Sequence, residues 1–344
     1  MSKTVQPAMY DILRTHNKFQ GDRLTGDYGV EIETETHDQY DYPTCKYWRC
    51  DRDNSLREWG VEYILKAPMN RLELGKALEE FAACDKKFKF NRDSISTSVH
   101  VHMNILNENI LTVANILTLY ALFENILIKF SGPDRLSNLF CLPMRDCEGV
   151  AVNIRNMLTA VARNNFRGLQ VAVDNAKYGA INIATVHRLG TLEFRSFRGE
   201  VDVSLIERWV GILDKIKFYA KRPGVTPTTI MNSVERMGAE SLAREVFGQY
   251  SAELGLPATA NLIDVKSLYF GGMISSSAKD WSKFGIIKVK PVYKEKLKEE
   301  LDNISLDRFK VKFDELDFGH RMYIQEEHLR ANPYIRVIEM KEDL

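Results

Sequence analysis

The chain lacks several features that would place it in a familiar class. Its 47 basic and 47 acidic residues leave no net charge, so we expect no electrostatic attraction to nucleic acid or to an anionic membrane. It has no glycine-rich phosphate loop of the form G-x-x-x-x-G-K-S/T. The first twenty residues contain no apolar segment followed by a cleavage site, so no export is expected. With 344 residues, 44% hydrophobic and 27% charged, the composition fits one large or two modest globular domains.

Cysteine and long apolar runs are also scarce. No pair among the five cysteines has the C-x-x-C spacing of a zinc knuckle, so we interpret them as free thiols in a reducing compartment. The most hydrophobic stretch, Ile110 to Phe130, is interrupted by polar residues and falls short of a membrane span. We therefore predict that it is a buried core helix.

Alternation of apolar and polar residues is what the sequence does offer. Three strand-like segments, 29–34, 98–103 and 191–196, each carry a polar pair at alternating positions. Residues two apart on a strand point to the same face, so these faces carry Glu/Glu, His/His and Glu/Arg. Carboxylates on neighbouring strands repel each other unless a cation neutralises them, and carboxylates with imidazoles suit Mg²⁺ or Mn²⁺. The pattern indicates a metal-assisted phosphoryl chemistry.

Each pair also has an interpretation without function. An E-x-E pattern is often the solvated face of a half-buried sheet, and paired histidines can be hydrogen-bonded core residues. Glu193 and Arg195 could form a simple ion pair. The joint occurrence on three strands favours the functional interpretation.

The secondary-structure pattern is of the α+β class. Strands are predicted at about 27–35, 60–66, 96–106, 179–185 and 191–197, with helices between them. Asn70 can cap a helix, and Thr226-Pro227 is typical of a helix start. Beyond Pro223 the chain is predicted to be helical, except for an irregular segment at 256–291.

Five motifs follow one another in a recognisable order. They are G-V-E-I-E (29–33), D-x-S-L followed by V-E (53–56 and 61–62), S-x-H-V-H (98–102), K-Y-x-x-x-N (177–182) and G-T-L-E-F-R (190–195). In this order they resemble the amidoligase family. These are bacterial and phage carboxylate-amine ligases related to glutamine synthetase and glutamate-cysteine ligase.

The resemblance implies a fold and a division of the chain. Residues 1–222 would form a glutamine synthetase-like catalytic domain, with a curved, mainly antiparallel sheet covered by helices. Residues 223–344 would form a helical C-terminal accessory region. ATP and Mg²⁺ or Mn²⁺ would be the cofactors, in the cytoplasm of a bacterium or of a phage-infected host.

The resemblance also implies roles for single residues. Glu31, His100 and Glu193 would bind the ATP-side metal, and Glu33 with Glu62 the substrate-side metal. Arg195 would contact the transferring phosphoryl group, so Arg195 and Glu62 are the catalytic candidates. Candidates for further cofactor contacts are His102, Lys177 and Arg188, and Arg135 and Arg145 could also contact phosphate or a substrate carboxylate.

The implied reaction is ATP-dependent formation of an amide or isopeptide bond through an acyl phosphate. The substrates would be a small-molecule or peptide carboxylate and an amine; the sequence identifies neither of them, nor the base that accepts the amine's proton, nor the oligomeric state. Two alternatives stay open: a non-catalytic protein that keeps the fold, and a metal-dependent hydrolase. The arginine of E-F-R argues against the hydrolase, because metal-bound water does not require it.

Overall fold

The computed structural model describes most of the chain. The described residues are 8–15, 19, 21–36, 43–54, 56, 59–91, 94–132, 135, 138, 141–162, 179–256, 262–276, 292–316, 320–321 and 324. Within them the fold is α+β, with one six-stranded sheet and ten α-helices. The predicted class is confirmed, whereas the glutamine synthetase-like arrangement stays a prediction.

The sheet is antiparallel at every pairing, in the order β2-β3-β1-β4-β6-β5. The strands are β1 (Tyr28–Thr36), β2 (Trp48–Arg52), β3 (Trp59–Leu65), β4 (Ser98–Asn104), β5 (Ile181–Asn182) and β6 (Thr191–Arg198). Strand β2 was not predicted, because as an edge strand of sequence WRCDR it has only one fully apolar anchor, Trp48. The predicted strand at 179–185 is wrong over most of its length. Only two of its residues pair with β6, and a helix begins at Thr185.

The helices lie before β1, between β3 and β4, between β4 and β6, and over most of the described residues after β6. They are α1 (Met9–Thr15), α2 (Arg71–Phe88), α3 (Ile110–Ser131), α4 (Glu148–Ala162), α5 (Thr185–Leu189), α6 (Val203–Ala220), α7 (Pro227–Met237), α8 (Ala239–Phe247), α9 (Val265–Ser276) and α10 (Val292–Phe309). Asn70 caps α2 in a capping box with Glu73, and Thr226 caps α7 with Pro227 in its first turn, as predicted.

The chain divides into two compact units. The first takes in 1–110, 127–154 and 170–215, and the second takes in 111–126, 155–169 and 216–344. The whole sheet lies in the first unit. The division at 222 that the sequence indicated stays a prediction.

Aromatic side chains join the apolar face of the sheet to its helices in the first unit. Phe81 of α2 packs against Trp48 and Tyr63, with ring centroids 5.9 and 5.1 Å apart. Trp209 of α6 stacks on Phe197 of β6 at 5.3 Å. Helices α2 and α6 therefore cover one face of the sheet, which leaves the opposite face to the polar side chains.

The second unit holds a helix that the sequence did not predict. Helix α9 occupies Val265–Ser276, within a segment that Gly271-Gly272 and nearby serines had made us expect to be irregular. A Cβ on Gly271 would lie 3.0 Å from the sulfur of Met231 and 3.3 Å from Leu122. Gly271 therefore allows close helix packing, and the burial of this helix outweighs the low helix propensity of glycine.

Helix α3 is long and apolar enough to cross a membrane by length and composition, contrary to the expectation from its polar residues. However, 89% of its most apolar window is buried in the protein, as in the core helix of a folded domain. Its polar residues Asn115, Thr118 and Glu124 are also buried. The burial agrees with the predicted core helix.

The five cysteines are free, as predicted, and Cys50 is the one that is not fully buried. The sulfur atoms of Cys45 and Cys84 lie 3.8 Å apart. Contact between unbonded thiols is consistent with their interpretation as packed core side chains.

Candidate active site

The register of the sheet brings the polar pairs of the sequence together. Strand β1 lies between β3 and β4, so Glu31 faces His100 and Glu33 faces Glu62 across the two pairings. On the far side of β4, His102 faces Glu193 of β6. The alternation predicted from the sequence therefore places one polar cluster on one face of the sheet, opposite helices α2 and α6.

Glu31 lies at the centre of this cluster and contacts both histidines. Its Oε2 is 3.3 Å from Nδ1 of His100, and its Oε1 is 3.3 Å from Nε2 of His102. Two groups of donor atoms converge within 4.8 Å, and Glu31 belongs to both. They are Glu31 with Glu62 and His100, and Glu31 with His102 and Glu193. Each group could hold a metal ion, and Glu31 is common to both.

Ser98 determines which nitrogen of His100 faces the carboxylates. Its hydroxyl donates to Oε2 of Glu33 at 2.6 Å and lies 2.7 Å from Nε2 of His100. Because the hydroxyl hydrogen is used on Glu33, Nε2 must donate to the Ser98 oxygen. Nδ1, on the other side of the ring, donates to Oε2 of Glu31 at 3.3 Å and lies 3.5 Å from Oε1 of Glu193, so a cation bound there would take the place of this hydrogen bond.

His102 has an equivalent arrangement on the other side of Glu31. Its Nδ1 lies 3.0 Å from Oγ1 of Thr191, while its buried Nε2 makes no hydrogen bond with any residue the structure describes. The 3.3 Å contact with Glu31 is within ion-pair distance but lacks hydrogen-bond geometry. A buried imidazole nitrogen in this setting fits a metal ligand.

Glu193 is held from two sides. The amide of Asn182 on β5 donates to Oε2 at 2.7 Å, and Nη1 of Arg195 donates to Oε1. Glu193 is 4% exposed, so these donors and the nearby His100 offset the cost of burying its charge. Arg195 itself is partly exposed, which leaves its guanidinium accessible from the polar face.

The carboxyl groups of the cluster shift one another's pKa values because they lie close together. Burial together with the charges of Glu31 and Glu33 raises the pKa of Glu62 to about 8. Burial also raises the pKa of Glu31, but the two histidines outweigh it and hold that pKa well below its usual value. Burial lowers the pKa of His102, whereas Glu31 and Glu193 raise it by more. The cluster therefore retains protons that a cation would displace.

The donor set fits divalent cations with a preference for oxygen. Three carboxylates and two imidazoles, oriented by Ser98, Thr191 and Asn182, match the ligands of Mg²⁺ or Mn²⁺. The grouping differs in detail from the one that the resemblance implied. His100 converges with Glu62, and Glu33 accepts from Ser98 and belongs to neither group. The assignment of ligands to two metals stays a prediction.

The other residues predicted for the site lie in different places. Lys177 is outside the described residues, and Arg188 is exposed on α5. Arg145 lies 3.7 Å from Asp146, and Arg135 is buried against the backbone of β6. Their predicted contacts with phosphate or substrate stay predictions.

Three residues of the cluster were given no role from the sequence: Ser98, Asn182 and Thr191. They are small, neutral side chains, and nothing about their type marks them as functional. The available signal was position, because Ser98 and Thr191 each lie two residues from another polar residue on the same strand face.

Comparison with known proteins agrees with this geometry. A family model described as "Putative amidoligase enzyme" matches residues 28–216, which is 189 of the 344 residues. The match runs from β1 into α6 and contains the whole polar cluster. A search of curated proteins found no match.

Proposed function

Because the chain belongs to the amidoligase family, we propose that it joins a carboxylate to an amine at the expense of ATP, through an acyl phosphate intermediate. A carboxylate does not condense with an amine in water unless it is activated. Transfer of the γ-phosphoryl group of ATP to the carboxylate provides a good leaving group, which the amine then displaces.

One observation carries the proposal: Arg195 lies beside a cluster in which Glu31 is shared between two converging sets of donor atoms. Phosphoryl transfer needs little covalent help from the protein, and it depends on positioning and on offsetting negative charge. A face that combines carboxylates, imidazoles and one accessible guanidinium supplies these requirements together.

The residues of the cluster would have different roles: some bind the cations, one contacts the phosphoryl group and others orient these side chains. Glu31, Glu62 and His100 would hold one divalent cation, and Glu31, His102 and Glu193 a second. Bound cations would offset charge on the phosphoryl oxygens. Arg195 would donate to those oxygens through its planar fork, while Glu193 and the backbone hold it in place. Ser98, Thr191 and Asn182 orient the imidazoles and the carboxylate.

The proposal is tested with hydroxylamine as the amine. The protein is incubated with ATP, Mg²⁺ and pools of carboxylates, and the hydroxamate formed from an acyl phosphate is measured with ferric ion beside released ADP. We expect both products in equal amounts with at least one pool, and neither product in EDTA. Glu31→Gln should abolish them, whereas Glu79→Gln on the exposed side of α2 should not.

The outcomes separate the alternatives. ATP binding without ADP or hydroxamate in any pool would favour a non-catalytic protein. Metal-dependent hydrolysis of a substrate without ATP would favour a hydrolase. A wild-type protein whose ATP affinity is the same in EDTA as in Mg²⁺ would contradict the two-cation assignment.

A further inference from the structure

Strand β6 contains one residue more than β4 opposite the polar cluster. Val99 pairs with Phe197 and Val101 pairs with Phe194, so the single residue His100 faces both Arg195 and Ser196. This is a β-bulge, an irregularity that is common beside active sites because it redirects a side chain. The bulge in β6 therefore lies at the residue proposed to contact the phosphoryl group.

The bulge changes which residues share a face. Strict alternation would place Phe194 and Phe197 on opposite faces, but both are fully buried and both face apolar partners on β4. Phe197 stacks on Trp209 of α6. The extra residue thus lets the end of β6 join the core while Glu193 and Arg195 remain on the polar face.

A bulge interrupts the ladder of backbone hydrogen bonds, and here a buried arginine bonds to the carbonyl groups at the interruption. Nε of Arg135 donates to the carbonyl of Ser196 at 3.1 Å, and Nη2 donates to the carbonyl of Arg195 at 2.9 Å. Arg135 is 3% exposed. The N–H of Arg195 donates to the carbonyl of Ala180 at 2.9 Å. Both the N–H and the carbonyl of Arg195 are therefore bonded by groups outside β6.

Described residues near Arg135 in sequence also contact β6 or Arg135 itself. A Cβ on Gly132 would lie 3.0 Å from Cδ of Arg198, and Gly132 has a positive φ of 126°. The N–H of Arg135 donates to the carbonyl of Gly132 at 3.1 Å, and the thiol of Cys141 donates to the carbonyl of Arg135 at 3.8 Å. Close approach of Gly132 to β6 is consistent with the bonds of Arg135 to the bulge.

We propose that Arg135 is a positioning residue: its guanidinium holds the bulge of β6 and so aims Arg195 at the transferring phosphoryl group. This inference rests on the proposed function. A buried guanidinium suits the task because its planar fork presents two donors in fixed directions, one for each carbonyl. A lysine at this position could not bond to both carbonyls in the same geometry.

The first arm of the test is kinetic and uses Arg135→Met, Arg135→Lys and Arg195→Lys alone and in combination. We expect each Arg135 variant to lower the rate of hydroxamate formation about a hundredfold, the cost of a misplacement of about 1 Å, with MgATP affinity retained. Combined with Arg195→Lys, either variant should add little further loss, because both act through one contact. Arg208→Met is the control for loss of an arginine, because Arg208 is exposed on the outer side of α6.

The second arm needs no activity. Hydrogen exchange of the metal-free protein should show faster exchange in Arg135→Met at residues 190–198 but not in β1 or α2. If the rate losses of the two single variants multiplied in the double variants, the two arginines would act independently and the positioning role would be overturned. An unchanged rate of hydroxamate formation in Arg135→Lys would overturn it as well. Unchanged hydrogen exchange in β6 of Arg135→Met would contradict the proposal that Arg135 stabilises the bulge. A wild type that forms no hydroxamate would instead contradict the proposed function, and the exchange result would stand separately.

Discussion

The hydroxyl of Ser98 lies 2.7 Å from Nε2 of His100 on the same strand. Since this hydroxyl donates to Glu33, Nε2 of the imidazole must donate to Ser98, and Nδ1 is directed towards Glu31 and Glu193. A side chain with no charge thus decides which nitrogen of His100 is available to a cation.

Ser98→Ala should weaken the binding of Mn²⁺ by about ten- to a hundredfold, the usual cost of removing a partner that orients a metal-binding histidine. Calorimetry or the paramagnetic signal of Mn²⁺ measures the affinity. Thr34→Val is a matched control, because it removes one buried hydroxyl bond, to the carbonyl of Val61, on the opposite face of β1. Equal Mn²⁺ affinity in Ser98→Ala and wild type would contradict the orienting role.

Cation binding should strengthen with rising pH until about pH 8. Burial and the neighbouring carboxylates raise the pKa of Glu62 to about 8, so below that pH a cation must displace a proton. For one proton, the apparent affinity rises about tenfold per pH unit. Titrations in buffers of different ionisation enthalpy measure the number of protons released, and Glu62→Gln should release about one proton fewer than wild type.

The same carboxyl group should affect the stability of the metal-free protein. The pKa of Glu62 in the folded protein is raised from the ordinary 4.5 to about 8. The stabilisation from its bound proton is therefore complete below pH 4.5 and is lost as the pH rises through about 8. Thermal unfolding in EDTA across this range should show a steeper decline for wild type than for Glu62→Gln. Parallel curves for the two proteins would mean that Glu62 titrates normally.

Arg195→Lys should preserve the binding of MgATP and lower turnover. Lysine keeps the charge but loses the planar fork, and a lost transition-state contact typically costs ~2.7–4 kcal/mol, or on the order of a hundred- to a thousandfold in rate. Arg49→Lys is the matched control, since Arg49 also pairs with an acid two residues away on a strand, Asp51, but is exposed. Undiminished turnover in Arg195→Lys would remove Arg195 from the mechanism.

Trp209→Ala should destabilise the protein by about 3–5 kcal/mol, because it removes the ring that stacks on Phe197 and Phe130 and leaves a cavity under β6. Phe218→Ala on the same helix should change the free energy of unfolding by less than about 0.5 kcal/mol, since Phe218 is 70% exposed. Urea unfolding followed by circular dichroism measures both. A similar loss in the two variants would contradict the assigned core.

The period-two pattern of residues determined much of the site on its own. Glu31, Glu33, His100, His102, Glu193 and Arg195 share one face because alternate residues of a strand must do so, and the structure confirms that face. The cap at Asn70 and the start of α7 at Thr226-Pro227 were equally local, because a cap depends on residues within one turn.

Pairing between distant segments was decided only by the tertiary structure. Nothing local in β6 marks the bulge at Arg195 and Ser196, because a bulge is defined by the number of residues on the opposite strand. The donor role of His100 Nε2 depends on Glu33 of another strand, and the role of Arg135 depends on its bonds to carbonyl groups of β6 that lie about 60 residues away in sequence. The sequence determined which chemical groups share a face, and long-range packing decided which of them bond to each other.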